Sequence, residues 1–190
     1  MKEDSFGLEA DTYLMRLLRA AAEALQSEEH VLNKAFERGS AAFYGGVNQG
    51  LAYHLYETTL VYLIFKSWLP LTEVVWDAHK ARGYGGAMDL VVFNEHKPRY
   101  AFEAKWWNYG KAEVLFEHDI SKLRHFKSQQ DARGFLITFW WASADKLDAY
   151  SRKVANVATQ NGWQRIYQAR FPIQVNDLEQ PHFVLDAIEV

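Results

Sequence analysis

An α/β fold, with helices flanking a central mixed sheet, is what the sequence predicts. Three observations carry it. Apolar spacing is helical up to Trp68 and changes to strand-like alternation after Pro70. Gly134–Trp141 is apolar along its length except at Thr138, the pattern of a strand covered on both faces. Between residues 48 and 141 the order reads helix, three strands, helix, strand, an αβββαβ core that packs naturally as helices on a sheet.

Each element has a local reason. Leu14, Leu17, Leu18, Ala21 and Leu25 recur at helical spacing and predict a helix over 6–26, followed by a short one over 28–37 that ends at Gly39. Ser40–Gly46 reads as a turn-rich joint. Asn48 is placed to cap a long helix that runs to Trp68 and stops before Pro70. Thr72–Trp76, Leu90–Phe93 and Arg99–Trp107 read as strands, the last two joined by a hairpin turn at Asn94–Pro98. Ala81–Gly86 is a glycine-rich loop. Lys111–Gln130 reads as a helix with Leu115, Phe116, Ile120, Leu123 and Phe126 on one broad face. Ser143 caps a helix that ends at Gly162. Strand-like segments at 163–173 and 182–188 follow. Residues 1–39 are therefore expected as a helical extension, either a cap or a dimer element, and 40–190 as the main domain.

Composition narrows the function classes. The chain has 190 residues, 49% of them hydrophobic, which is enough for one domain with a sizeable core. It has no cysteine, and this excludes disulfides, thiolate zinc sites and cysteine nucleophiles. The most apolar stretch, Leu51–Leu69, is broken by His54, Glu57 and Lys66, so no membrane span is expected. Met1-Lys2-Glu3-Asp4 does not open a signal peptide, and a cytoplasmic location fits. Residues 1–30 hold seven acids and three bases, and residues 174–190 four acids and no base. The net charge of −3 therefore hides a basic middle, which permits phosphate binding.

The hairpin carries the chemistry. A turn centred on His96 sets Phe93 opposite Arg99 and Asp89 opposite Glu103. Directly opposed carboxylates among Leu90, Val91, Val92, Phe102 and Ala104 repel unless a cation neutralises them or one stays protonated. Lys105 lies two residues beyond Glu103 and projects from the same face. Mg²⁺ takes oxygen ligands and keeps several waters, so Asp89, Glu103 and the Ala104 carbonyl form a suitable donor set, with Mn²⁺ as a substitute. Lys105 is then placed to position a water, to help deprotonate it, or to stabilise charge on phosphoryl oxygens. Glu57 is expected in the middle of an almost wholly apolar helix, where an unpaired carboxylate is costly. It would reach the metal directly, through water or through Lys105; otherwise it would bond a core tyrosine or His54.

These residues resemble a known family. Glu57 on a helix, then Gly-Gly-Ala-Met-Asp89 and Phe102-Glu103-Ala104-Lys105, with thirteen residues between Asp89 and Glu103, look like the PD-(D/E)XK, or restriction-endonuclease-like, nuclease superfamily. Met88 stands where the motif has its proline, and the Gln-x-x-x-Tyr element of the RecB-like branch is absent. The resemblance implies that Asp89 and Glu103 bind Mg²⁺, that Lys105 is the catalytic lysine and that Glu57 supports the metal site. It further implies hydrolysis of phosphodiester bonds, DNA favoured over RNA, leaving a 5′-phosphate. The alternative is a nuclease-like module without catalysis that binds nucleic acid or a protein partner.

Other basic residues are placed to meet a phosphate backbone: Lys80 and Arg82 before and within the glycine-rich loop, and Lys122 and His125 on the helix that follows the third strand. Asp119, among Leu115, Ile120 and Leu123, is expected to be partly buried and paired. Trp107 shares a face with Glu103 and Lys105 and is read as core, with base stacking as the other use. The apolar stripe of 6–26 must be covered by the core or by a second subunit, so a homodimer is a further expectation.

Overall fold

The computed structural model describes residues 2–3, 11–37, 51, 55–78, 86–107, 112–174 and 179–190. Its elements in chain order are β1 (Lys2–Glu3), α1 (Thr12–Glu37), α2 (Glu57–Trp68), β2 (Glu73–Ala78), β3 (Met88–Asn94), β4 (Lys97–Trp106), α3 (Ala112–Gln129), β5 (Arg133–Ala142), α4 (Ala144–Gln160), β6 (Gln164–Pro172) and β7 (His182–Glu189). The strands form one sheet in the order β1-β6-β7-β5-β4-β3-β2. Among the described residues only β4 and β5 pair in parallel, across α3; every other neighbouring pair is antiparallel. The expected α/β class, the mixed sheet and the αβββαβ order are all present.

Two apolar layers sandwich the sheet. On one face Leu90, Val92, Phe102, Ala104 and Phe139 pack with Leu17, Leu18 and Leu25 of α1 and Leu60, Ile64 and Trp68 of α2. On the other face Val91, Ala101, Trp107, Leu136 and Val184 pack with Phe116, Ile120 and Leu123 of α3 and Val154 and Val157 of α4. Strand alternation fixes which residues see which layer, so odd-numbered positions of β4 face α3. Among the described residues no helix is long and apolar enough to cross a membrane.

The two helices expected over 6–26 and 28–37 are one, Thr12–Glu37. Asp11 begins it: its Oδ1 accepts the Tyr13 and Leu14 N–H groups, as an N-cap side chain does. The acidic step at Ser27-Glu28-Glu29 does not break it, because Glu29 is buried and useful. Its carboxylate accepts the Leu51 N–H at 2.7 Å and the Gln174 N–H at 3.0 Å. The apolar stripe of α1 lies buried against the chain's own core, and the Trp68 indole N–H donates to the Leu17 carbonyl. That apolar stripe is thus covered from within the chain.

The hairpin turn also differs from expectation. It is a two-residue turn at Glu95 and His96, with φ of 51° and 64°, the left-handed pair that suits strand twist. A register shift at Val92/Phe93 sets Pro98, not Arg99, opposite Phe93. Proline has no N–H to give to the ladder and tolerates such a bulge. Beyond the shift the expected register holds for Val92 opposite Tyr100 and Leu90 opposite Phe102, but the pairing ends there, so Asp89 and Glu103 are not the directly opposed ladder pair that the sequence predicts. The positions of Asn48, His54, Lys80, Arg82 and loop residues 81–85 lie outside the described residues.

Candidate functional site

The site lies where β4 outlasts its partner. Pairing of β3 with β4 ends at Leu90 and Phe102, while β3 stays paired with β2 as far as Met88. The strands fork, and the Ala104 and Trp106 N–H groups on the β3 side of β4 need other acceptors. Two carboxylates supply them. Asp89 Oδ2 accepts the Ala104 N–H at 2.8 Å, and Glu57 Oε2 accepts the Trp106 N–H at 3.0 Å.

Glu57 is not mid-helix. Tyr56 is extended, with φ −72° and ψ 155°, and α2 begins at Glu57 itself. A carboxylate in a first helical turn is favoured by the helix dipole. This placement also lets Glu57, rooted in the α2 layer, reach past the sheet to Lys105, whose ammonium donates to its Oε1 at 3.0 Å. Of the contacts open to Glu57 in the sequence, the structure shows the one with Lys105.

Glu103 and Lys105 project toward α3, and there the structure adds an acid and a base. Lys122 Nζ lies 2.7 Å from Glu103 Oε2 and 3.3 Å from Asp119 Oδ1. Lys105 Nζ lies 3.5 Å from Asp119 Oδ2. Asp119 therefore stands between the two lysines, a role that the sequence reading did not give it. The signal was its position on the apolar stripe of α3, three residues before a lysine. Lys122, expected to meet phosphate from the rim, is instead drawn inside, with its side chain only 15% exposed. His125, one turn on, is exposed. Trp107 is buried and packs on Phe116 with ring centroids 5.0 Å apart, so it is core and no base can stack on it.

The electrostatics are unbalanced. Among the described residues four carboxylates (Glu57, Asp89, Glu103, Asp119) meet two ammoniums, so these six groups, fully ionised, carry two negative charges. Burial first, and then the charge of Asp89, push the Glu103 carboxyl up to about 8. Burial likewise raises Asp89, against the pull of its Ala104 hydrogen bond and the lysines. Burial alone would lower Lys105, but the hydrogen bond and charge of Glu57, with Asp119 and Asp89 behind, raise it above the ordinary lysine range.

A divalent cation fits the residues present. Among the described residues no three His, Cys, Asp or Glu side chains gather as a metal-holding group. The donor set expected from the sequence, two carboxylates and the Ala104 carbonyl, is of the kind that suits Mg²⁺, an ion that commonly holds one or two carboxylates and several waters. Glu103 Oε1 is buried without a hydrogen bond among the described residues, as expected of an oxygen that awaits a cation. No family model, curated protein or solved structure matches this chain.

Proposed function

We propose that the chain is a Mg²⁺-dependent nuclease that hydrolyses phosphodiester bonds, preferably of DNA, with a restriction-endonuclease-like core. The observation that carries this reading is the fork between β3 and β4. It gathers Asp89, Glu103, Lys105 and, from α2, Glu57, in the αβββαβ order that the PD-(D/E)XK resemblance requires.

Asp89, Glu103 and the Ala104 carbonyl would hold the cation, with Mn²⁺ as a substitute. A bound divalent ion lowers the pKa of a coordinated water and shields phosphate charge. The chain's own residues do the rest. Lys105, kept protonated by Glu57 and Asp119, donates to a phosphoryl oxygen and stabilises charge there instead of taking a proton. Glu57 holds Lys105 to the end of β4 by bonding both its ammonium and the next residue's N–H, which fixes the ammonium's direction. Lys80, Arg82 and His125 remain candidates for phosphate contacts along the substrate.

The test is incubation with linear, circular and branched DNA, and with RNA, in Mg²⁺ and in EDTA. Cation-dependent breakage supports the reading. Binding of nucleic acid with no breakage on any substrate would replace it with that of a non-catalytic module.

A further inference from the structure

Lys122 is the member of the cluster that the proposed chemistry leaves without a task. Its ammonium contacts Glu103 Oε2 at 2.7 Å and Asp119 Oδ1 at 3.3 Å, and donates to the Ala87 carbonyl at 3.2 Å. Its stem runs across Gly86, where a Cβ would come within 3.1 Å of Lys122 Cδ. A side chain at residue 86 would press on the stem, which would have to give way slightly. Two carboxylate oxygens of its partners, Glu103 Oε1 and Asp119 Oδ2, are buried and lack hydrogen bonds among the described residues.

We infer that Lys122 is a resident counter-ion of Glu103, which a divalent cation displaces onto Asp119. The inference rests on the cation-binding part of the function proposed above. An ammonium and a divalent ion on one buried carboxylate repel strongly in a poorly hydrated site, and the ammonium is the one with another partner. That partner is already in reach. Lys122 and Lys105 address opposite oxygens of Asp119, so the carboxylate accepts the displaced ammonium without releasing Lys105. Lys122 then stands beside the cation with its donors freed from Glu103, and these donors are available to a substrate's phosphoryl oxygens. The cation thereby enters before phosphate meets Lys122.

The experiment is competitive acylation of the full chain with acetic anhydride, without nucleic acid, read lysine by lysine by mass spectrometry. It is run in EDTA, in Mg²⁺ at a concentration that calorimetry shows to be saturating, and in Na⁺ at matched ionic strength. Exposed Lys97 serves as the internal standard. Lys122 should become at least about fivefold more reactive in Mg²⁺, since an ammonium moved off Glu103 is no longer held between two carboxylates. It should not change in Na⁺. Equal or lower reactivity at saturating Mg²⁺, or an equal rise in Na⁺, overturns the displacement and leaves the nuclease reading standing. An absence of Mg²⁺ binding by calorimetry removes the cation site and both proposals with it.

Discussion

Glu57 and Lys105 meet at 3.0 Å across the end of the sheet, although one starts a helix in the α2 layer and the other faces α3. The same carboxylate accepts the Trp106 N–H. Glu57→Ala removes both bonds, leaves that N–H without its acceptor, and should cost about 1–3 kcal/mol in denaturant unfolding. Glu57→Gln keeps an acceptor for Trp106 but loses the charge that holds Lys105. It should lose less stability than the alanine variant while its cleavage rate still falls by about tenfold or more. Equal activity of Glu57→Gln and wild type would show that the charge of Glu57 does not serve Lys105.

Lys105→Ala should abolish cleavage, by about 10²-fold or more, and keep divalent-cation binding, because Asp89 and Glu103 remain. Calorimetry and turnover measured on the same preparation separate the two effects. Wild-type turnover would remove the lysine from the mechanism.

Glu103 makes the cation-free protein sensitive to pH. Its folded-state value of about 8 lies above the ordinary 4.5, so on raising the pH the unfolded chain releases this proton first. The stabilising contribution is complete below about pH 4.5, is lost as pH rises toward 8, and changes no further above that. In EDTA the unfolding free energy should fall by roughly 2–4 kcal/mol between about pH 5 and pH 8.5. Glu103→Gln has nothing to titrate and should flatten most of the slope. An undiminished slope in that variant would assign the titration to another group.

Asp89→Asn should reverse sign with metal. The asparagine carbonyl can still accept the Ala104 N–H, while the charge opposing Glu103 is gone. Above about pH 8, where Glu103 ionises, the variant should be more stable than wild type in EDTA by about 1 kcal/mol, the scale of close cross-strand charge pairs. In excess Mg²⁺ the wild type gains by ligand linkage and the variant gains little. A variant less stable than wild type in EDTA would make Asp89 a structural residue.

The parts of the site that lie close along the chain were legible in its sequence. Asp89, Glu103 and Lys105 sit on one hairpin, and local pairing as far as Leu90 and Phe102 carries them to the fork; even the misplaced turn left that register intact, because the bulge absorbed the difference. What depends on packing between layers was not legible. The pairing of Lys122 with Glu103, and the place of Asp119 between two lysines, follow from how closely α3 lies on β4, which helical periodicity does not encode. The start of α2 at Glu57 was hidden because Leu55 and Tyr56 continue the apolar pattern of a longer helix, and tertiary bonds to β4 override that pattern. The continuity of α1 was missed for a similar reason: buried Glu29 reads as a surface acid until Leu51 and Gln174 are seen donating to it.

Single-turnover cleavage of end-labelled DNA in Mg²⁺ tests the central claim most directly, with wild type compared against Asp89→Asn/Glu103→Gln after circular dichroism has shown both to be folded. The account predicts cation-dependent strand breakage by the wild type and a rate lower by about 10³-fold or more in the double variant. Breakage that persists in EDTA, or a double variant that cuts at the wild-type rate, would contradict it.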